Sequence, residues 1–288
     1  MEPWVPHSRL DRVVDARLDE AWVAAKWSNP EAWVLGVDDR SFVSSDTAGH
    51  ALRAIRPGGP HDPQHHYLVG TVDDHPWFAV AATPQGPSAS LRQLGSFLPE
   101  TESDLATTAV ALVNWHRVAP HCGRCGAITQ VRSGGLMRWC PQCERQRFPR
   151  TDPAVIVAIL DDAGRLLLGH QAAWEPGRVS ILAGFVEAGE SLEQAVHREI
   201  AEESGLELTA LRYVGSQPWP FPRSLMLGFV ARARGTEITV NGSEIECARF
   251  YTPDEVDAAL AAGEITLPGT ASIASRIIGA WRGGRLDV

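Results

Sequence analysis

Between Gly184 and Leu206 the chain reads GFVEAGESLEQAVHREIAEESGL, and its carboxylates fall where a soluble helix does not normally put them. Ser191 followed by Gln194 is a capping-box start and Gly205 a C-terminal stop, so the spacing predicts a helix of about three turns. At about 100° per residue, Leu192, Val196 and Ile200 make one apolar stripe. Glu203 projects onto that stripe, Glu199 sits at its edge, and Arg198 points nearly the opposite way. A carboxylate on a core-facing stripe is costly unless it is paired or metal-bound. Several of them converging suggest a cage for hard divalent cations. An acidic, solvated helix face accounts for most strings of this kind, and helix geometry alone leaves both accounts open.

The full register decides more. Gly184, Glu190, Arg198, Glu199, Ile200, Glu202, Glu203, Gly205 and Leu206 resemble the Nudix box, G-x5-E-x7-R-E-U-x-E-E-x-G-U with U aliphatic, at every defined position. The resemblance implies a hydrolase of nucleoside diphosphates linked to another group. It also implies a loop–helix–loop in which Glu199, Glu202 and Glu203 serve Mg²⁺ or Mn²⁺. The chemistry explains why such residues are needed. A diphosphate repels an incoming nucleophile, and divalent ions neutralise its oxygens, orient it and lower the pKa of a bound water. Glu203, one helical turn beyond Glu199, can share a metal with it and is the candidate for taking the water's proton, with Glu202 beside it. Arg198 is better placed to brace the loop through Glu190 than to touch substrate. Gly184 and Gly189 would let the loop backbone approach phosphate and metal closely.

Four of the five cysteines carry a second signal. Cys122-x2-Cys125 and Cys140-x2-Cys143 are separated by 14 residues, with Gly123, Gly126 and Pro141 in or beside the pairs. That is the layout of two knuckles closing on one tetrahedral Zn²⁺, and four thiolates with no vacant position read as a structural site. The alternative, two disulfides, is disfavoured in a cytosolic chain. Cys247 is expected to be a small buried residue. Seven Arg between 117 and 150 face one acid, Glu144, partly offsetting the charge of a thiolate-bound zinc and partly able to steer an anionic substrate.

At 288 residues the chain has room for two domains or one with an appended module. No run of 18 apolar residues indicates a membrane span, and the start MEPWVPHSRLDRVV lacks a signal-peptide layout, so a cytoplasmic location is expected. A net charge of −9 argues against nucleic-acid binding by the whole surface. Strand-like runs at 33–37 and 77–81, separated by turn clusters, predict a small mostly-β domain over residues 1–101. The string from His61 to His66 is expected to be a surface loop. A helix from Glu102 to His116, with Leu105, Ala109, Leu112 and Val113 on one face, leads into the ribbon, the two spanning 102–150. In 151–288, strands are predicted at 154–160, 166–168, 212–214, 226–231, 238–240 and 248–251, and helices at 253–262 and 272–281. The fold class is therefore α+β: a Nudix α/β/α sandwich with a mixed sheet, preceded by a zinc ribbon and the N-terminal domain.

A third motif narrows the substrate. Ser216-Gln217-Pro218-Trp219-Pro220-Phe221-Pro222-Arg223-Ser224 has three prolines fixing an extended, stiff loop, and Trp219 and Phe221 offer flat surfaces for a planar base. An aromatic corner packed in the core is the bland alternative. With the box and the ribbon, SQPWPFPxS looks like the signature of the NADH pyrophosphatase (NudC) family over residues 102–288. That resemblance implies metal ligation by Glu199, Glu203, the carbonyl of Ala183 and Glu244, with Glu246 a close competitor for the last place. It implies stacking of nicotinamide on Phe185 and a substrate site lined by Gln217 to Ser224, Met226 and Ala274. Relatives often have tyrosine where this chain has Phe148, so a hydroxyl contact is lost there; the segment Gly134 to Met137 also lacks an acid that some relatives use. The implied reaction splits NADH or NAD⁺ into NMN(H) and AMP and removes the NAD cap from RNA 5′ ends. Two other readings stand beside it: a Nudix hydrolase of ADP-ribose or another sugar nucleotide, and a catalytically dead nucleic-acid-binding protein. Relatives of this kind are homodimers, and ten tryptophans are more than one compact core of this size usually needs.

Overall fold

A computed structural model describes residues 7–84 and 86–288. The described chain divides into two compact units: residues up to Thr151 together with Pro220–Arg223, and Asp152–Trp219 together with Ser224–Val288. The ribbon and the N-terminal sheet thus share one unit.

The first unit comprises β1 (Leu10–Asp11), α1 (Glu20–Trp27), β2 (Trp33–Val37), β3 (Phe42–Ser44), β4 (His66–Val72), β5 (His75–Ala81), β6 (Ser88–Ser90), α2 (Leu91–Leu94) and α3 (Glu100–Val118), followed by β7 (Gln130–Arg132), β8 (Met137–Cys140) and β9 (Arg145–Arg147). A six-stranded sheet runs β1-β4-β5-β2-β3-β6, with β2 and β5 parallel. Alternation along the strands sends Leu35, Val37, Val69 and Ala79 to one face, where Leu105, Ala109 and Val113 of α3 cover them. Val34, Leu68 and Phe78 point the other way, onto Val23 and Trp27 of α1. The predicted strands at 33–37 and 77–81 and the predicted helix are all present.

The loop before β4 departs from expectation. Pro63 and His65 are exposed, but His61 and His66 turn inward, and the His66 ring stacks on Trp27 with centroids 3.8 Å apart. The apolar aromatic wall of α1 draws the imidazoles in despite their polar flanks.

The ribbon is the three-stranded sheet β7-β8-β9. It is joined to α3 by a buried polar network. Arg138 donates from Nε to Thr129 Oγ1 (2.7 Å), from Nη2 to the Thr129 carbonyl (2.9 Å) and from Nη1 to His116 Nδ1 (3.1 Å). With Nδ1 accepting, His116 carries its proton on Nε2 and donates it to the Gly135 carbonyl at 2.8 Å. Tyr67 stacks on the same imidazole at 4.1 Å. Burial pushes His116 down to about 4, so it is neutral in this arrangement.

The second unit comprises β10 (Asp152–Leu160), β11 (Leu166–Gln171), β12 (Leu182–Phe185), α4 (Leu192–Ser204), β13 (Glu207–Trp219), β14 (Ser224–Arg234), β15 (Ile245–Tyr251), α5 (Pro253–Ala261) and α6 (Ile273–Arg282). Its sheet runs β13-β14-β10-β11-β15, with β12 also paired to β10; β10 and β14 are parallel and the remaining pairs antiparallel. β10 is apolar on both faces because both are covered. Val155, Val157 and Ile159 meet Ala195, Val196 and Ile200 of α4, while Ile156, Ala158 and Leu160 pack in the cluster that contains Val256 of α5 and Ile277 of α6. This is an α/β/α sandwich around a mixed sheet.

Three expectations need correction. Residues 238–240 are not a strand; the chain there runs past the end of α4, where the Thr239 amide donates to the Ser204 carbonyl. The stretch from Ser216 to Ser224 is not an extended loop: Ser216–Trp219 end β13, residues 220–223 form the turn, and Ser224 starts β14. Cys247, in β15, is exposed rather than buried.

Candidate active site

The box folds as its spacing predicts. Ser191 Oγ accepts from the Gln194 amide at 3.2 Å, the Gln194 side chain accepts from the Ser191 amide at 2.8 Å, and Gly205 takes a left-handed φ of 70°. That fixes the rotation of α4, and with it the direction of each carboxylate. Glu203 is 3% exposed among the apolar side chains of α4, and its Oε2 is buried with no hydrogen-bond partner. Burial raises its pKa to about 8, and the charges of Glu199, Glu244 and Glu202 push in the same direction. Glu199 is also raised, chiefly by desolvation.

Arg198 explains why the loop before the helix holds its shape. Its Nε and Nη2 grip Glu190 at 2.7 and 2.9 Å, and Nη2 also donates to the Phe185 carbonyl at 2.9 Å. This fork holds Glu190 down to about 2. Nη1 reaches Glu199 at 2.9 Å and Glu202 at 3.1 Å, so the bracing arginine also touches the acidic cluster. Sequence reasoning had Arg198 pointing away from that cluster; the length of its side chain brings the guanidinium back to it.

At Gly184 the close neighbour in the structure is a side chain of α4. Its φ is unexceptional, but an added Cβ would lie inside the Glu199 carboxylate. The glycine leaves room for the acid. Gly189, by contrast, has a φ of 96° with open space around it, so its need is conformational.

Spacing could not separate Glu244 from Glu246, and the structure distinguishes them. Glu244, held by Asn241 Nδ2 at 3.3 Å, raises the pKa values of both Glu199 and Glu203. Glu246 lies against His170 Nε2 at 3.6 Å. Buried Glu203 with an orphaned oxygen, flanked by two further carboxylates and only partly offset by Arg198, is the donor set a hard divalent cation fits.

The comparisons with known proteins agree with this geometry. A family model described as NUDIX domain matches residues 150–267. An NAD-capped RNA hydrolase NudC of Mycobacterium bovis is 42% identical over 97% of this chain and 94% of its own length. The chain belongs to the NudC family of Nudix hydrolases. The NudC of Mycobacterium tuberculosis gives the same identity and coverage, and human NAD-capped RNA hydrolase NUDT12 is 38% identical over 64% of this chain and 42% of its own.

The other positions singled out from the NudC resemblance fall in two groups. Strand register sets Phe185, Ala154, Met226 and Gln217 in one row across β12, β10, β14 and β13. Phe185 is 57% exposed. Ala183, Met226 and Ala274 pack in the cluster beneath α6. Gln217 has its carboxamide committed at both ends, Nε2 to the Ala271 carbonyl at 2.7 Å and Oε1 to the Ile273 amide at 2.6 Å, which pins the start of α6 and so places Ala274. Pro218 is exposed, Trp219 half-buried and Ser224 buried. Pro220, Phe221, Pro222 and Arg223 belong to the first unit, where the Arg92 guanidinium lies 4.8 Å from the Phe221 ring centroid and Asn114 donates to the Pro220 carbonyl. Phe148, in the same unit, is 48% exposed.

The four cysteine sulfurs lie within 4.8 Å of one another, the one such group among the described residues; the box carboxylates are more loosely spread. The Arg124 amide holds Cys122 down to about 6, while hydrogen bonding with Cys125 pushes Cys143 up to about 12. Thiols crowded this way compete for protons until a cation replaces them, and the group fits a zinc ribbon. No helix among the described residues is long and apolar enough to cross a membrane.

Proposed function

We propose that this chain hydrolyses the diphosphate of NADH and NAD⁺, giving NMN(H) and AMP, and removes the NAD cap from RNA 5′ ends by the same reaction. The observation that carries the reading is Glu203: a buried carboxylate with an unsatisfied oxygen, next to Glu199 and Glu244, at the end of a complete Nudix box. The names of the relatives support the substrate class.

In this reading Glu199, Glu203, Glu244 and the Ala183 carbonyl hold Mg²⁺ or Mn²⁺. The ion, when bound, neutralises the phosphate oxygens and acidifies a water. Glu203 takes the water's proton, with Glu202 near it at the helix surface. Arg198 keeps Glu190 and the Phe185 carbonyl fixed, so the loop presents its backbone to the diphosphate in one conformation. Phe185 stacks on the nicotinamide, and the row through Met226 to Gln217, with Ala274 on α6, lines the substrate site. Pro218, Trp219 and Ser224 complete the substrate contacts made by this unit. Zn²⁺ on Cys122, Cys125, Cys140 and Cys143 is structural. The enzyme is a homodimer, for which the family resemblance argues, and light scattering at micromolar concentration checks the assembly.

The deciding experiment compares kcat/KM for NADH, NAD⁺, NAD-capped RNA, ADP-ribose and a nucleoside diphosphate sugar, scoring NMN, AMP and sugar phosphate. The reading expects NMN-releasing substrates to lead. An ADP-ribose preference of tenfold or more would replace it with the sugar-nucleotide alternative, and no turnover of any substrate with Mg²⁺ or Mn²⁺ would leave the dead-domain reading.

A further inference from the structure

The N-terminal sheet holds a cavity that the reaction does not use. It has a volume of about 500 Å³ and lies between β5, the first turn of α3 and the segment around Leu52, with Trp77, Leu105, Arg9, Glu100 and Glu102 in its lining. That size suits a small-molecule ligand. Trp77 belongs to a stack: its ring centroid is 6.1 Å from that of Trp33, at an interplanar angle of 29°, because β2 and β5 run in parallel register with Trp33 opposite Trp77. The Arg56 guanidinium closes the far end of the stack, 3.6 Å from the Trp33 centroid. The indole lining the cavity is therefore held rigidly on its protein side.

The rim is polar and acceptor-rich. Glu100 Oε2 accepts from the His7 amide at 2.7 Å, and Thr101 Oγ1 accepts from the Arg9 amide at 3.1 Å. Arg9 is tied to Asp73 at 2.6 Å. Glu102 is half-buried, and its carboxylate has no partner among the described residues. A simple anion is disfavoured by two carboxylates, and a purely apolar ligand would leave these acceptors dry. A flat ring that also carries amino donors satisfies both parts.

We propose that this cavity is a second nucleotide subsite that takes an amino-bearing nucleobase, adenine or guanine, stacked at Trp77 with its amino group donated to Glu102. The sugar-phosphate leaves towards Arg9 and solvent. Uracil is disfavoured, because its one edge donor, N3–H, lies between two carbonyls that a carboxylate repels. The choice of a nucleotide ligand rests on the proposed function; the base comes from a free nucleotide or from a base of an RNA strand.

Titration calorimetry of the full-length protein in the absence of divalent ions tests this with AMP, UMP and a short single-stranded oligoadenylate. The expected result is two AMP sites per chain. One is lost in Trp77→Leu and weakened at least tenfold in Glu102→Gln, and it does not accept UMP. Glu102→Gln changes a half-buried side chain without a packing role, so it stands if Trp77→Leu fails to fold. Tighter binding of oligoadenylate than AMP at this site assigns it to RNA, and equal or weaker binding assigns it to free nucleotide. NADH hydrolysis by both variants is expected at the wild-type rate. If AMP binding is unchanged in both variants, or UMP fills the same site equally, the subsite does not exist. Trp77-dependent AMP binding by a protein with no NADH hydrolysis would keep the subsite and remove the function proposed above.

Discussion

Replacing Glu203 by Gln should stabilise the metal-free protein while destroying its activity. The side chains are nearly isosteric, so packing is preserved and the change is one of charge. Burial places Glu203 at about 8 in the fold, against an ordinary 4.5. Between those values the folded chain holds a proton that the unfolded chain has released. Because the folded pKa is raised, stability is fully present below about pH 4.5 and is lost as pH rises to about 8. At roughly 1.4 kcal/mol per unit, the penalty at pH 8 is about 4 kcal/mol at most. Glutamine carries none of this, apart from a smaller cost for one unpaired amide group. The metal-free variant should therefore melt several degrees above wild type at pH 8, with the gap closing by more than half at pH 5.5. Adding Mn²⁺ should reverse the order, because only the wild type gains a charge-neutralising ligand on folding. Thermal melts in EDTA and in millimolar Mn²⁺ at both pH values, with NADH turnover measured in parallel, check all of this. A metal-free variant less stable than wild type at pH 8, or a gap indifferent to pH, would refute the argument that Glu203 is an uncompensated buried charge.

Gly184→Ala should lower kcat/KM on NADH by at least a hundredfold, since the new Cβ displaces the Glu199 carboxylate, and circular dichroism should still show a folded chain. Cys140→Ser should lower zinc content and thermal stability before it changes turnover per folded molecule, read by elemental analysis beside kinetics; a folded wild type without zinc would overturn the structural role. His116, held down to about 4 against an ordinary 6.5, contributes stability that is complete above about pH 6.5 and lost as pH falls to about 4, amounting to about 3 kcal/mol. His116→Gln should flatten that acid limb in denaturant titrations, and a limb that stays equally steep would mean another group is responsible.

The box, the knuckles and most elements were legible because each is written in local spacing. Capping residues set α4, alternation and apolar runs set β2, β5 and β10, and the cysteine intervals needed no tertiary information. What escaped detection depends on long-range neighbours. Arg198 was placed by helical angle, which ignores how far a guanidinium reaches back to Glu202 and Glu199. Glu244 and Glu246 differ in long-range neighbours, α4 carboxylates for the first and His170, 76 residues away in sequence, for the second. Gly184 is read from sequence as a point of close approach to phosphate and metal, because the neighbour it leaves room for, the Glu199 carboxylate, lies in another element. Residues 238–240 have the composition of a strand, but the end of α4 claims their backbone before any sheet does.

The Arg138 network bears on how such a chain can be cut. His116 ends α3, Arg138 lies in β8, and each supplies the other's buried hydrogen bond. A fragment that stops after α3 would leave a buried imidazole nitrogen without its donor and expose the Gly135-facing end of the helix. A fragment that starts at the ribbon would keep the two bonds from Arg138 to Thr129 but lose the His116 acceptor for its Nη1. Neither piece is a sound module. For a gene that gains or sheds sequence by whole blocks, α3 and the ribbon, metal knuckles included, travel together.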